Sequence, residues 1–209
     1  MATKINGTLL STKKKKKKTV KEELQDLEID IKHFKSKKES RIEITFNKIL
    51  KPYQRNRKSG YGDHLYDPLN SYKDYIQRRL KKILEEKNIE MIKEGSEIKI
   101  NTIVEIQPPK SFSQLKTLYC LRQQILPVTK PDNDNYEKTI FDIMNKKVWY
   151  DDGNVVENTA TKIYGYENKT YVFITYKDQL DVTGRISKEI KSKMTEKEID
   201  FIFNKERWI

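Results

Sequence analysis

Polar and apolar residues alternate from Arg41 to Phe46, which puts Ile42, Ile44 and Phe46 on one side. A period of two predicts a half-buried strand. The same period returns at Ile98, Ile100, Thr102, Val104 and Ile106, and Pro108 and Pro109 close that segment. Between these strands the spacing changes. Tyr72, Ile76, Leu80, Ile83 and Leu84 form one stripe, predicting a helix from Ser71 to Lys93. Ser71 and Asp74 supply its cap and Gly95 its end. A second helix is expected from Ser111 to Leu126, broken before Pro127. A short third one runs from Asn133 to Asn145, with Tyr136, Ile140, Ile143 and Met144 on its apolar side. Val155 to Tyr164 and Tyr171 to Tyr176 predict the two strands of a hairpin, joined around Asn168. Thr195 and Glu198 make a capping box for a last helix. Its apolar stripe is Ile199, Ile202 and Phe203, with Trp208 beyond.

Four short strands with helices on one face predict an α+β fold of two layers, a small mixed β-sheet under packed helices, over about 41–178. Charge sets the other boundaries. The 209 residues carry a net charge of +12, and residues 1–40 hold 12 lysines against 6 acids. Lys13 to Lys18 is an unbroken run, and charges this dense resist packing. Residues 1–40 therefore read as a mobile basic tail. Residues 179–209 read as a polar connector, to 194, and a terminal helix.

A strongly basic chain implies an anionic partner, nucleic acid or an acidic membrane surface. The second is disfavoured: residues 1–20 hold no basic amphipathic helix and no lipidation motif. No apolar run reaches the roughly 18–20 residues that span a bilayer. Residues 1–10 lack the apolar core of a signal peptide. Cys120 is the single cysteine, which excludes an intrachain disulfide and a cysteine zinc site. His33 and His64 stand in no metal-ligand spacing. A reduced, cytoplasmic setting is the expectation.

One stretch opposes the general charge. Residues 131–152 hold 6 acids against 3 lysines. Asp132 and Asp134 enter the third helix, Lys138 follows one turn later on the same face, and Asp142 one turn further. A turn that brought Asp151 or Asp152 opposite them would complete an oxygen-ligand site for Mg²⁺, with Mn²⁺ as a substitute ion. Such an ion polarises a phosphoryl group and makes hydroxide from bound water, while Lys138 neutralises developing charge. Two plainer readings use the same residues. Asp134 and Glu137 have capping-box spacing, and Asp151 to Asn154 is turn chemistry.

The ordered set Lys130, Pro131, Asp132, Asp134, Asn135 and Lys138, then Asp142 and Asn145, then Asp151 and Asp152, resembles the RusA family of Holliday junction resolvases. Lys51 and Pro52, Arg55 and Arg57, and Tyr66 to Pro68 extend the resemblance, which covers about 41–178. It implies a small homodimer that nicks four-way DNA junctions symmetrically with Mg²⁺. Asp132, Asp134 and Asp152 would hold the metal, Asp151 would support or join them, and Lys138 would be the catalytic lysine. Met144 and Lys146 stand where the family commonly has leucine and glycine, and Asn154 where it has glutamine.

The basic stretch Lys51, Arg55, Arg57 and Lys58, with Tyr53 and Tyr61, and the separate Lys130 are candidates for gripping DNA phosphates and stacking on unpaired bases at a branch point. Trp149 reads as core. The competing function is a non-catalytic basic nucleic-acid-binding protein whose aspartates only cap and turn. A C₂ dimer suits a substrate with two-fold character, and the C-terminal stripe is expected to pack on the domain or to join two subunits.

Overall fold

The computed structural model describes residues 18–58, 60, 64–179 and 188–203. The elements run α1 (Val20–Glu23), β1 (Ile29–Phe34), β2 (Ser40–Phe46), β3 (Arg57–Lys58), β4 (Leu65–Tyr66), α2 (Asn70–Glu86) and β5 (Ser96–Ile106). Then come α3 (Gln114–Leu121), α4 (Asn133–Met144), a single 3₁₀ turn (Asp152–Asn154), β6 (Val155–Tyr164) and β7 (Lys169–Asp178). The five long strands form one sheet in the order β1-β2-β7-β5-β6, and β3 pairs with β4 as a separate ribbon. β5 and β6 are parallel, and every other neighbouring pair in the sheet is antiparallel. A mixed sheet with helices packed alongside is the expected α+β class.

The register shows where the alternating residues go. Ile31, Ile44, Val172 and Thr102 lie abreast across four strands, with Ile42, Ile174 and Ile100 in the next row. All of these are buried, while Arg41, Lys99, Asn101 and Thr159 on the opposite face stay exposed. The buried face meets Tyr72, Ile76, Leu80 and Leu84 of α2 and Ile140, Ile143 and Met144 of α4 in one cluster. Trp149 is fully buried there, edge-on to Phe141 at 5.6 Å between ring centres.

Four expectations change. Val155–Tyr164 and Tyr171–Tyr176 are strands but not a hairpin, because β5 inserts between β6 and β7 and pairs with both. β5 is thereby a central strand with a partner on each side, and β6 is left at the edge of the sheet.

The boundary at residue 40 falls inside a real hairpin. Leu24, Leu27 and Ile31 are buried, and Thr19 and Glu22 form a full capping box on α1. The lysine excess masked that apolar spacing. Lys13–Lys17 lie outside the described residues, as do Tyr61 and Trp208.

The helix expected to Lys93 stops at Glu86. Asn88 takes a left-handed backbone (φ 52°), which turns Ile89 and Ile92 into the core. Its first residue is Asn70, after Leu69 at the cap, so Ser71 caps nothing. The second helix is likewise shorter, from a Ser113 cap to Leu121.

Residues 179–209 form a separate compact unit. In it α5 (Lys188–Ser192) occupies part of the expected connector, and α6 (Glu196–Phe203) follows Thr195 with the expected reciprocal Thr195–Glu198 bonds. No helix among the described residues is long and apolar enough to cross a membrane.

Leu27 tests the enlarged domain. Leu27→Ala should lower unfolding free energy by about 2–5 kcal/mol in urea titrations. A change below about 0.5 kcal/mol would mean that α1 and the turn after it do not belong to the core.

Candidate active site

The predicted residues gather on the two ends of α4. At its N-terminal end Asp132 is the cap residue, yet its carboxylate binds no backbone N–H of the helix. The capping-box alternative for Asp134 therefore fails: the cap lies two residues earlier and leaves its oxygens uncommitted. Asp134 pairs with Lys138 at 3.2 Å. The Lys138 ammonium also sits 5.6 Å from the Tyr53 ring centre. Tyr53 N–H donates to the Asn135 carbonyl at 2.7 Å, pinning the 51–58 segment beside this end.

Arg55, Arg57 and Lys58 are exposed on that segment, with Arg57 donating to Gln54 at 3.2 Å. Lys51 differs from them. It is ion-paired with Glu23 at 2.7 Å and lies 4.9 Å from the Tyr72 ring centre, so it fastens α1 to α2. Lys130 is exposed just before Pro131. Lys162, which the sequence did not single out, donates to the carbonyls of Thr129 and Pro131 at 2.7 and 2.8 Å. With Asn133 donating to the Ala160 carbonyl at 2.9 Å, it ties the entry to α4 onto β6.

The other end of α4 holds Asp151 and Asp152. Trp149 Nε1–H donates to Asp152 at 2.7 Å and Asn145 to its other oxygen at 3.2 Å. Burial raises the Asp152 pKa above the usual aspartate range, and the nearby Asp151 and Asp142 carboxylates add to this against the Trp149 bond. Asp151 behaves oppositely: the Gly153 N–H, then Lys146, hold it below that range. Lys146 has the left-handed backbone that favours glycine (φ 59°), and offsets that cost by pairing with Asp151 at 3.2 Å and covering the Tyr150 ring at 4.2 Å.

The two ends stay apart. α4 has 12 residues, and at about 1.5 Å per residue its length separates Asp132 and Asp134 from the Asn145–Asp152 contact by on the order of 15 Å. The sheet gives the same measure. Asn133 bonds β6 at Ala160, level with Thr102 in the middle of β5, while Asn154 bonds the Ser96 carbonyl at the start of β5. Among the described residues no three His, Cys, Asp or Glu side chains gather closely enough to hold a metal ion. The expected single cluster is not seen within this chain, because α4, in the parallel β5–β6 connection, stands between the two parts of the acidic motif.

Residues 50–175 match the family described as Endodeoxyribonuclease RusA. The chain belongs to this family. It is also 31% identical over 113 residues to "Uncharacterized protein YqaN" of Bacillus subtilis (strain 168), a match covering 53% of this chain and 78% of that protein. RusA membership implies nuclease activity, and all four aspartates lie inside the matched segment.

The structure adds residues to the RusA region that spacing did not reveal. Lys73 of α2 pairs with Asp142 at 2.8 Å and also with Asp67. Burial alone would lower its pKa, but the hydrogen bonds it donates to these two carboxylates raise it overall. Gln77 donates to the Asp142 carbonyl at 2.7 Å, so α2 holds α4 in place. Asp142 is thereby a structural partner of Lys73. Glu137, raised in pKa chiefly by burial and also by Asp134, sits near Asn158 of β6. Only contact across the fold, invisible in local periodicity, brings these groups together.

Do these donors suit a hard divalent ion? Mg²⁺ takes oxygen ligands and asks a protein for one or two carboxylates, the rest coming from water and phosphate. Asp132 and Asp134 supply two. The buried amide oxygens of Asn133 and Asn145, one near each end, have no hydrogen-bond partner in the structure. The donor chemistry fits at each end, although neither end alone gathers three acidic ligands.

Asp152 carries a stability signature. Its raised pKa means that its contribution is full below the ordinary aspartate value of about 3.9 and is lost as pH rises through the higher folded value. Asp152→Asn removes the ionisation, so its melting temperature at pH 7.5 should equal or exceed the wild type's. A lower melting temperature at that pH, with no gain relative to pH 4, would contradict the burial argument.

Proposed function

We propose that this chain is a Mg²⁺-dependent endonuclease that cuts branched DNA, resolving four-way junctions by paired symmetric nicks, as a homodimer. One observation carries the reading. Within the RusA segment, uncapped Asp132 and Asp134 stand at the positively polarised N-terminus of α4, beside Lys138 and under the basic 51–58 loop. Asp132 takes no hydrogen bond from the helix and Asp134 takes one from Lys138, so oxygens of both remain open to a cation.

Asp132, Asp134 and Asp152, with Asp151 in support, would hold Mg²⁺, whose chemistry when bound would be Lewis-acid activation of the scissile phosphate and of water. The remaining work belongs to side chains. Lys138, already turned toward Asp134, would neutralise charge developing on the phosphate. Arg55, Arg57, Lys58 and Lys130 would hold flanking phosphates, the guanidinium of Arg55 forking onto two oxygens. Tyr53 gives the Lys138 ammonium a fixed wall. Trp149 and Asn145 would fix the orientation of Asp152.

The separation of the two ends supports the homodimer. Two copies related by a two-fold axis can set the Asp132 end of one against the Asp152 end of the other, making two equal sites. Two sites related by symmetry suit paired nicks on a junction of like symmetry. The same separation favours a second reading, a basic nucleic-acid-binding protein without catalysis.

A labelled four-way junction beside linear duplex decides between them. Symmetric junction-specific nicks with Mg²⁺, lost with EDTA and lowered by at least about 100-fold in Asp132→Asn, are expected. Junction binding without cleavage under Mg²⁺ or Mn²⁺ would establish the non-catalytic reading. Arg55→Ala with Arg57→Ala should weaken junction binding and lower the slope of log affinity against log salt by about 2. An unchanged slope would remove the loop from the interface.

A further inference from the structure

The core face of the sheet runs out of large apolar side chains at one end. Ser40 lies abreast of Tyr176, and buried Ser96 abreast of Asp178, where a neighbouring row holds Ile42, Ile174 and Ile100. α2 has already stopped at Glu86, and the chain turns away at Asn88. Small side chains below an ended helix leave a cavity of about 220 Å³, bounded also by residues 90–93. Pockets for drug-sized ligands run to roughly 300–1,000 Å³, so this one suits a single ring system.

The lining offers two kinds of surface. His33 Nε2 and the Tyr176 hydroxyl are 2.9 Å apart, with ring centres 6.2 Å apart and planes tilted by only 22°. Rings bonded through their edges in this way lie side by side and make one flat wall. Burial, and then Lys35, hold the His33 pKa below the ordinary histidine value, which keeps the imidazole neutral at neutral pH. The rest is charged and mixed in sign. Lys35 and Lys93 line the cavity and are exposed, as are Glu90 and Asp178. The Ser96 hydroxyl donates to one Asp178 oxygen at 3.1 Å. Two carboxylates disfavour a bare anion, and two lysines disfavour a bare cation. A flat ring that donates N–H bonds and carries a phosphate matches the aromatic wall, the carboxylates and the ammonium groups together.

We propose that this cavity binds a nucleotide, its base against the His33–Tyr176 wall, an exocyclic amine donating to Asp178, and its phosphate on Lys35 and Lys93. The site is independent of the nuclease reading. His33, Lys35, Tyr176 and Asp178 all fall outside residues 50–175, so the family match does not assign it. Such a nucleotide has two sources, a free monophosphate or an unpaired position of a DNA strand. A strand at the Asp152 pole passes close by, because the cavity wall is bonded to that pole. Ile92 N–H donates to the Val148 carbonyl at 2.8 Å and Tyr150 N–H to the Ile92 carbonyl at 3.0 Å. The Asn154 amide donates to the carbonyls of Lys93 and Ser96 at 3.1 and 3.2 Å.

Nuclear magnetic resonance of the imidazole tests the site. The chain holds two histidines, so a His64→Gln background leaves His33 as the single signal. The probes, without Mg²⁺, are dAMP, dCMP, dTMP, inorganic phosphate, and short single-stranded oligonucleotides of each base. Saturable shifts with dAMP or dCMP are expected, with dissociation constants below about 1 mM. dTMP, which lacks an exocyclic amine, should bind at least about 10-fold more weakly. Lys35→Ala with Lys93→Ala should weaken binding at least about 10-fold, and Asp178→Asn should abolish the preference over dTMP. These positions are exposed, and unchanged melting temperatures would show that the fold is intact. Tighter binding of an oligonucleotide than of its monophosphate supports the site as one for a DNA strand; equal or weaker binding supports it as one for a free nucleotide. No shift by about 10 mM, or the same shift with inorganic phosphate alone, overturns it. A chain that cuts junctions without these shifts loses this site and keeps the nuclease reading, and a chain that shifts without cutting does the reverse.

Discussion

The parallel pairing of β5 with β6 governs this molecule. Two adjacent parallel strands require a crossover that returns the chain to its starting edge, and α4 is that crossover. A helix that must span the strands holds its two ends on the order of 15 Å apart. The acidic motif begins at one end and finishes at the other. The layout of the site follows from that: two carboxylates that do not cap the helix at one pole, and a half-buried aspartate at the other.

The two poles differ electrostatically for physical reasons. The N-terminal pole gains positive potential from unpaired helix N–H groups, Lys138 and Lys162, so carboxylates and phosphates are both welcome there. At the C-terminal pole the helix N–H groups give no such help, and Lys146 pairs with Asp151. Asp152 is crowded by Asp151 and Asp142 and is held mainly by neutral donors, Trp149 and Asn145. Lys73 relieves part of that crowding by binding Asp142, and its second bond to Asp67 makes the link rigid.

Much of this was legible in the chain. The period-two runs at 41–46 and 98–106 and the helix over 133–144 are local patterns, and local patterns survive folding. The motif around Asp132 gave the family from side-chain identity alone. What stayed hidden was non-local. Nothing in Val155–Tyr176 announces that β5 will enter between its two strands. Nothing in the lysine-rich N-terminal stretch shows Leu24 and Leu27 reaching the core, because charge dominates its composition. The expected meeting of Asp132 and Asp134 with Asp151 or Asp152 rested on a turn bringing them opposite one another, and within the chain a helix of about three turns stands between them.

Mixing two inactive proteins tests this account most directly. Asp132→Asn and Asp152→Asn homodimers would be denatured together, refolded, and assayed for Mg²⁺-dependent nicking of a four-way junction. If each site joins one end of α4 from each copy, a mixed dimer holds one intact site. Random pairing then restores roughly a quarter of wild-type sites, with single nicks in place of paired ones. No recovery of nicking in the mixture, although both proteins refold and pair, would contradict the account: all the carboxylates would then serve within one chain.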